Sequence, residues 1–412
     1  MQYSKKIIFK YGFPGFLFSF TALPLFLVIP VLYENKNGLS LAVVGLILMV
    51  VRFTDAITDP IIGRWVDMTN GHRFLKWLIP SIIVLALGFF LLMNPPDDFI
   101  SFSHSFAWLS FFLLVVSISN GAALLAYQSW VLSITEVPQQ QLRFVTNREI
   151  FTLVGVVIAS YLATQRMFFE MSIAVFICSI FSIFFLLSIS SINLLPSRKA
   201  KDKVSLSNVI SKKTRIMFFI FGLNALANSI PPLLFIFFVQ DILNLKSETA
   251  GLLLMVYFFF AIFSMPLWSK KIDIYGPISI WMLAILISIA AFIGALFLST
   301  NDFYYFLVIC SITGFALGAE LLCPPMILAK KINDLGHRGH LESSYFGVLN
   351  LVIKLSLALA SGTVLPLLSF YGYSSSTDSS AFSLSILQFF YAGVPCFLKL
   401  TCVFIIFKFL NK

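Results

Sequence analysis

Long apolar runs recur from one end of the chain to the other, separated by short polar breaks. Many runs hold about 18 or more apolar residues, which is enough for a helix to cross a ~30 Å hydrocarbon core. Hydrophobic residues make up 59% of the 412 residues and charged residues only 11%, more apolar surface than a soluble fold of this length buries. Phe alone accounts for 47 residues, which suits lipid-facing helices better than the alternating pattern of a strand barrel. The sequence therefore predicts an all-α membrane protein.

The polar breaks divide the chain into twelve predicted transmembrane helices in two halves. The first six fall near residues 9–33, 40–66, 75–94, 104–134, 147–165 and 171–194. The last six fall near residues 215–240, 247–268, 276–299, 303–329, 343–370 and 381–409. The longest hydrophilic stretch lies between the halves. We therefore expect an N-terminal six-helix bundle over residues 1–194, a cytoplasmic loop over 195–214 and a C-terminal bundle over 215–412, a layout of secondary transporters.

Charge in the breaks predicts the orientation. The basic residues of one side are Lys5, Lys6, Lys10, Arg73, Lys76, Arg143, Lys270, Lys271, Lys330, Lys331 and Arg338. The basic residues of the other side are Lys36, Arg166 and Lys246. The positive-inside rule then places both termini in the cytoplasm of a multi-pass protein of the plasma membrane, the inner membrane in a bacterium. Anionic lipid headgroups suffice to explain the net charge of +10, so we expect no nucleic-acid partner.

The second predicted span contains three charges on one helix face. Arg52, Asp55 and Asp59 follow at spacings of three and four residues and therefore lie on one side of the helix. Two ionised carboxylates this close repel each other in a low-dielectric site, unless one takes a proton, a basic partner neutralises them or a cation binds between them. A hard cation such as Na⁺ prefers oxygen ligands, and Thr58 adds a hydroxyl or a carbonyl. Pro60 leaves a carbonyl one turn earlier without its donor.

The alternative is an ion pair between Arg52 and Asp55 that only holds helices together. Such a pair explains two of the charges and leaves Asp59 without a role. Because charges inside a membrane span are costly and usually face a cavity or pathway, we predict a cation site at Asp55, Asp59 and Thr58.

A few other charged residues fall within spans. Lys354 lies deep in the eleventh span with apolar residues on both sides, which disfavours a lysine reaching for the interface. Glu320 in the tenth span is either a protonated packing residue or a proton carrier. Arg148 and Glu149 are expected to open the fifth span and to pair with each other. Arg52, Lys354, Glu320 and Arg148 form the predicted charge network.

Polar residues in two further spans are candidates for a solute cavity. Asn224 and Asn228 are one turn apart in the seventh span, and they serve either as hydrogen bonds between helices or as solute ligands. Tyr127, Gln128 and Trp130 in the fourth span are cavity candidates, although Trp130 is equally suited to packing.

The stretch "DAITDPIIGRWVD" at residues 55–67 resembles the second-helix signature of the glycoside–pentoside–hexuronide:cation symporters, the melibiose-permease group of the major facilitator superfamily. "YGFPGFLFSF" at 11–20 is similar to the family's first helix, and "NREIFTLVG" at 147–155 to its fifth, around Arg148. Lys354 falls where the family has a lysine in helix eleven. The resemblance implies the major facilitator fold and alternating access, in which a cation on Asp55 and Asp59 neutralises the face and frees Lys354 to reorganise.

"GRWVDMTNGHR" at residues 63–73 resembles the superfamily's motif between the second and third helices. The resemblance implies that Gly63 permits close approach of a neighbouring helix and that Asp67 caps or salt-bridges that helix on the cytoplasmic side, with Arg73 among the motif's basic residues. This implied role is conformational and involves no solute.

The sequence departs from the melibiose type where that type holds sugar hydroxyls. The aspartates of helices one and four correspond to Ser19 and Ala126, and a threonine of the cation site corresponds to Ala123. The departures imply a solute other than a typical galactoside, with Ser19 as a cavity candidate. Eukaryotic relatives that carry lysophosphatidylcholine with Na⁺ resemble this chain in keeping the acids of helix two and the lysine of helix eleven.

Three functions are compatible with these patterns. The first is a monomeric symporter that couples a small organic solute to Na⁺ or H⁺. The second is a carrier of an amphipathic solute such as a lysophospholipid, a muropeptide or a siderophore-like compound. The third is a membrane protein that assembles complexes or senses a ligand without transport. The four histidines lie in loops or at span ends and no nucleophile–base or metal-ligand set is visible, so we expect no enzyme, no metal site and no cofactor beyond the coupling ion.

Overall fold

The computed structural model describes residues 3–22, 24–30, 32–33, 39–69, 71–96, 102–190, 206–373 and 380–409. Within these ranges the regular structure is helical and no strand occurs. The first helices are α1 (Lys5–Gly12), α2 (Pro14–Ala22), α3 (Pro24–Leu27), α4 (Leu41–Met68), α5 (Arg73–Met93), α6 (Phe102–Ile134), α7 (Pro138–Thr164), α8 (Phe168–Ser190) and α9 (Leu206–Val209). The later helices are α10 (Lys212–Phe237), α11 (Ser247–Tyr275), α12 (Pro277–Phe292), α13 (Phe303–Asp334), α14 (Glu342–Phe370), α15 (Ala381–Gln388) and α16 (Val394–Phe409).

The predicted all-α fold with twelve spans is confirmed. In the described part of the chain, nine helices are long and apolar enough to cross a membrane. The other predicted spans correspond to α4, to α7 and to the run of short helices α1–α3. Two spans contain a π-helical turn, at Phe238–Ile242 after α10 and at Phe389–Gly393 between α15 and α16.

One predicted boundary is wrong by more than two turns. The fifth span was expected to begin at residue 147, but α7 begins at Pro138, whose missing N–H is not needed in the first turn of a helix. Arg148 and Glu149 therefore lie inside the helix and do not open it, and Arg148 is only 2% exposed. The polar run that precedes Arg148 belongs to the helix and not to a loop.

The described chain groups into two compact units. Unit 1 consists of Met1–Val209 together with Leu328–Leu351, and unit 2 of Ile210–Ile327 together with Val352–Lys412. Unit 1 thus includes the last turns of α13 and the first turns of α14. Residues 195–205 of the predicted central loop lie outside the described residues, and α9 and the start of α10 fall in the rest. The predicted bundle limits stay a prediction.

Aromatic side chains fill the centre of each unit. In unit 1 the ring of Tyr11 lies 4.8 Å from that of Tyr127 and 5.1 Å from that of Phe144. In unit 2 Tyr391, carried by a π-helical turn, stacks on Phe238 at 4.1 Å between ring centroids. Because lipid is as apolar as a side chain, such close packing, and not burial from water, is what stabilises helix contacts in a membrane.

Candidate functional site

The charged face of α4 lies in unit 1. Asp59 is completely buried, whereas Arg52 and Asp55 are partly buried, and each of the three takes part in polar interactions. The hydroxyl of Thr58 donates to the backbone carbonyl of Asp55 at 3.0 Å. Because the Thr58 proton is used in this bond, the hydroxyl presents oxygen lone pairs, as a ligand of a hard cation must.

Two glycines bring α4 against the first turns of α14 inside unit 1. A Cβ atom on Gly63 would lie 2.5 Å from the carbonyl oxygen of Ser343, and one on Gly347 would lie 2.7 Å from the carbonyl oxygen of Asp59. Both distances are too short for any side chain, and in both cases the obstacle is backbone. The two helices therefore touch backbone to backbone, and Asp59 is at one of the two contact points.

Asp67 and Arg73 meet the start of α14 in a buried polar cluster. The carboxylate of Asp67 accepts hydrogen bonds from the backbone N–H groups of Ser343 at 3.0 Å and Ser344 at 2.7 Å, and from the Ser344 hydroxyl at 2.7 Å. Arg73 pairs with Glu342 at 2.8 Å and with Asp67 at 3.6 Å. Asp67 thus both caps a neighbouring helix and salt-bridges, since a carboxylate is stabilised at a helix N-terminus. The three predicted motif residues, Gly63, Asp67 and Arg73, lie along one contact.

Arg148 pairs with its chain neighbour. Its Nε and Nη2 atoms donate to the same carboxylate oxygen of Glu149, at 2.9 and 2.7 Å. The Nη1 atom is buried and has no hydrogen-bond partner among the described residues. Both members of the pair interact electrostatically with Tyr11 and Tyr127.

The cavity candidates of unit 1 are mostly engaged in packing. The Ser19 hydroxyl bonds back to carbonyls of its own helix at 3.0 and 3.1 Å and lies against Gly155 of α7. The Tyr127 hydroxyl donates to the carbonyls of Tyr11 and Gly12. Tyr127 and Trp130 are both fully buried.

Two polar atoms beside these residues are buried without a hydrogen-bond partner in the described part of the chain. They are Oε1 of Gln128 and Nε1 of Trp130. An acceptor and a donor left in this way fit a bound polar solute or ordered water equally well.

Unit 2 holds a second buried charged cluster around Glu320. The ammonium of Lys399 lies 2.5 Å from one carboxylate oxygen of Glu320 and 3.1 Å from the Ser288 hydroxyl. The other oxygen of Glu320 accepts from the side-chain amides of Asn228 at 2.9 Å and Asn224 at 3.3 Å. Glu320 and Lys399 are 5% and 7% exposed.

Lys399 was not among the residues predicted from the sequence, although its sequence context resembles that of a residue that was. Lys399 lies in "VPCFLKLTCVF" with apolar neighbours, the same pattern that singled out Lys354. Lys354 lies on α14 in the part that belongs to unit 2, where it is partly buried and takes part in a polar interaction. Its predicted coupling to the aspartates of α4 stays a prediction.

Comparison with known proteins identifies what kind of chain carries these clusters. A sequence model of the family described as MFS/sugar transport protein matches residues 10–410. A crystal structure of a bacterial homologue of the iron transporter ferroportin, in an outward-facing state, superposes with a TM-score of 0.76 at 14% identity, covering 98% of this chain and 100% of that one.

Two further transporters have a similar structure. The human organic anion transporter MFSD10 (TETRAN) has a TM-score of 0.74 at 13% identity, with 98% of this chain and 100% of that chain covered. The E. coli fucose:proton symporter FucP has a TM-score of 0.72 at 12% identity, with 98% and 97% covered. At these identities the structural similarity shows a shared fold alone.

Proposed function

Because the chain belongs to the MFS/sugar transport protein family, we propose that it is a secondary symporter that couples movement of a small organic solute to a cation. Family membership makes it a multi-pass membrane transporter and not an enzyme. The resemblance to the melibiose-permease group fits this family. The coupling ion, the solute class and the monomeric state are parts of the proposal.

The charged face of α4 is the observation that carries the proposal. Asp55 and Asp59 lie one turn apart, and Asp59 is wholly buried in a helix that crosses the membrane. Two ionised carboxylates this close repel each other inside a membrane, and a Na⁺ ion bound between them would offset that repulsion. Thr58 adds a neutral oxygen.

This charge gives a reason for coupling. A carrier without its cation must move two closely spaced buried carboxylates through the membrane interior, which is costly, so the empty or half-loaded protein turns over slowly. The cation therefore has to bind before solute and carrier cross together. A proton on one of the two aspartates does the same, which makes H⁺ the second candidate ion.

Close packing along α4 and α14 suits a conformational lock. Gly63, Asp67 and Arg73 hold the first turns of α14 within unit 1 through backbone contact and buried ion pairs. We propose that these contacts form in one state of the alternating-access cycle and break in the other. Both termini lie on the cytoplasmic side of the plasma membrane in this proposal.

A test that needs no knowledge of the solute measures the thermal stability of the purified protein. A ligand that binds only the folded state raises stability by RT ln(1 + [L]/Kd), about 2.7 kcal/mol at a hundredfold excess over Kd. We expect Na⁺ to raise the apparent Tm of the wild type, K⁺ to do so far less, and Asp55→Asn or Asp59→Asn to abolish the rise. Asp273→Asn, at an exposed acid on α11, is the matched control and should keep the Na⁺ response.

The outcomes separate the candidate ions. A pH-dependent shift that the two substitutions remove, with no alkali-ion response, identifies H⁺ as the coupling ion. If neither Na⁺ nor pH acts through these aspartates, the face is a structural ion pair and the symporter proposal loses its basis.

A further inference from the structure

The cluster around Glu320 joins four helices of unit 2. Asn224 and Asn228 come from α10, Ser288 from α12, Glu320 from α13 and Lys399 from α16. No part of the proposed cation site belongs to it. A buried ion pair is weak support for stability, because the cost of removing two charges from water cancels much of their attraction. The cluster therefore calls for a role beyond holding helices together.

The cluster is neutral only while its two charges stay together. One oxygen of Glu320 takes the Lys399 ammonium, and the other takes two amide N–H donors. If one of the two charges were removed, the other would stay buried without a partner of opposite charge. The site is at least 93% buried, since Lys399 is 7% exposed and Glu320 is 5% exposed. A change at one member must therefore be matched by a change at the other.

The asparagines are suited to both protonation states of Glu320. Asn224 is 5% exposed, and its Oδ1 atom has no hydrogen-bond partner in the part of the chain that the structure describes. A side-chain amide donates through nitrogen and accepts through oxygen. With Glu320 ionised, the Asn224 nitrogen donates to it. With Glu320 protonated, rotation of the amide presents the oxygen to the new O–H group.

The prolines beside the cluster add further acceptors. Pro324 has no N–H for the backbone carbonyl of Glu320 one turn earlier, and Pro232 has none for the carbonyl of Asn228. Two backbone carbonyls next to the side chains of the cluster thus lack their usual helical donor.

We propose that Glu320 binds a proton and Lys399 binds a carboxylate group of the solute in one linked step. A proton from solution forms an O–H bond with Glu320, the Glu320–Lys399 ion pair breaks, and the Lys399 ammonium pairs with the incoming carboxylate. One positive and one negative charge enter together, so the net charge of the site stays zero. This inference rests on the proposed transport function and assigns its solute to the small monocarboxylates.

Other titratable groups near the pair are thiols and a phenol. Tyr257, Cys323 and Cys402 interact electrostatically with Glu320, and Cys396 and Cys402 with Lys399. Their ordinary pKa values, about 8.5 for a thiol and about 10 for a phenol, lie above the range of the test. These thiols and this phenol therefore stay protonated across the test range of about pH 5 to about pH 7.5.

The test measures ligand-induced thermal stabilisation and proton uptake by the purified full-length protein. Acetate, lactate and gluconate are the probes, and acetamide, lactamide and glucose are their uncharged controls. We expect stabilisation by at least one carboxylate and by none of the controls, with one proton taken up per bound anion. Since one proton binds with each anion, the carboxylate Kd should fall about tenfold for each pH unit of acidification.

Three variants distinguish a solute-binding site from an ion pair that only stabilises the fold. Lys399→Met should lose the carboxylate response. Glu320→Gln, which mimics the protonated acid, should bind the carboxylate with no proton uptake and with a Kd independent of pH. The double variant Glu320→Gln/Lys399→Met is neutral throughout and serves as the folding control; it should fold and give no response.

Any of three results would overturn the inference. The wild type is not stabilised by any carboxylate, it is stabilised by inorganic phosphate in place of carboxylates, or the carboxylate affinity of Glu320→Gln still depends on pH. The Asp55→Asn variant keeps the two proposals apart. It should lose the Na⁺ response and keep carboxylate-linked proton uptake, so failure of one site leaves the other measurable.

Discussion

The aspartate face of α4 and the Glu320–Lys399 pair are both buried and charged, but they solve the problem of charge in a membrane differently. On α4, two carboxylates lie one turn apart on a single helix with one arginine beside them. In unit 2, a carboxylate and an ammonium from different helices lie 2.5 Å apart, with amide and hydroxyl groups around them. The first arrangement places two like charges side by side, and the second pairs two opposite charges. The difference predicts that neutralising one charge has opposite effects on stability in the two places.

The largest effect is expected in unit 2. Lys399→Met leaves Glu320 buried without its cation, and breaking a buried pair in this way costs about 3–5 kcal/mol. The double variant Glu320→Gln/Lys399→Met should recover most of that loss, because no charge remains. Thermal unfolding of the purified proteins measures both, with Lys270→Met at an exposed lysine of α11 as the control. A double variant no more stable than Lys399→Met would show that the two charges do not compensate each other.

A smaller loss is expected where α14 touches the aspartate face. Gly347→Ala places a Cβ atom 2.7 Å from the carbonyl oxygen of Asp59, and forcing the helices apart costs about 1–3 kcal/mol. Gly362→Ala is the matched control on the same helix, since nothing lies within 4 Å of its Cβ position. Thermal unfolding should separate the two variants, and Na⁺ stabilisation should weaken only in Gly347→Ala. Equal Tm values for the two variants would mean that the helices accommodate the added methyl group without loss of stability.

The comparison predicts a change of opposite sign at Asp59. Without Na⁺, Asp59→Asn removes one of two like charges and should stabilise the protein by about 1 kcal/mol, the size of a modest pKa shift between neighbouring carboxylates. With saturating Na⁺ the order should reverse, because only the wild type binds the ion. The difference in Tm between Asp59→Asn and the wild type, measured once in K⁺ buffer and once in Na⁺ buffer, tests both expectations. Destabilisation in both buffers would instead favour a structural role for this carboxylate.

The smallest effect concerns the loop between α13 and α14. Burial, and secondarily the nearby charge of His340, lowers the pKa of His337, whose Nδ1 lies 2.8 Å from the hydroxyl oxygen of Tyr345. The folded loop therefore favours neutral His337: its contribution to stability is present above the ordinary pKa of about 6.5 and is lost as the pH falls through the lowered pKa.

The hydrogen-exchange rate of residues 335–341, divided by the intrinsic rate at each pH, should accordingly rise on acidification below about pH 6.5, and His337→Gln should remove that rise. His104→Gln, at an exposed histidine, should leave it unchanged. An acid-induced rise that persists in His337→Gln would assign the effect to another group.

The same contrast explains what the sequence could predict. The face of α4 was predictable because its charges share one helix, where spacing alone fixes which side they occupy. The twelve spans followed from hydropathy for a similar local reason, and Gly63 and Asp67 from a motif of contiguous residues. The partnership of Glu320 with Lys399 involves residues far apart in sequence and depends on how α13 and α16 pack, which no local pattern contains.

The misplaced start of α7 has a local cause as well. The segment "PQQQLRFVTNRE" is polar enough to be read as a loop, yet its packing against α1, where Phe144 contacts Tyr11 and Asn147 lies against Gly12, holds it as helix. Tertiary packing here overrides a weak hydropathy signal. Lys399, by contrast, was visible in the sequence as a lysine in an apolar span.

Direct binding of radiolabelled Na⁺ to the purified protein is the most decisive measurement. The wild type should bind one Na⁺ per chain in competition with Li⁺, Asp55→Asn and Asp59→Asn should bind none, and Lys399→Met should retain binding because its cluster is separate. Undiminished Na⁺ binding in both aspartate variants would contradict a cation site on α4. So would a wild type that binds no Na⁺ at any pH and takes up no proton through these aspartates.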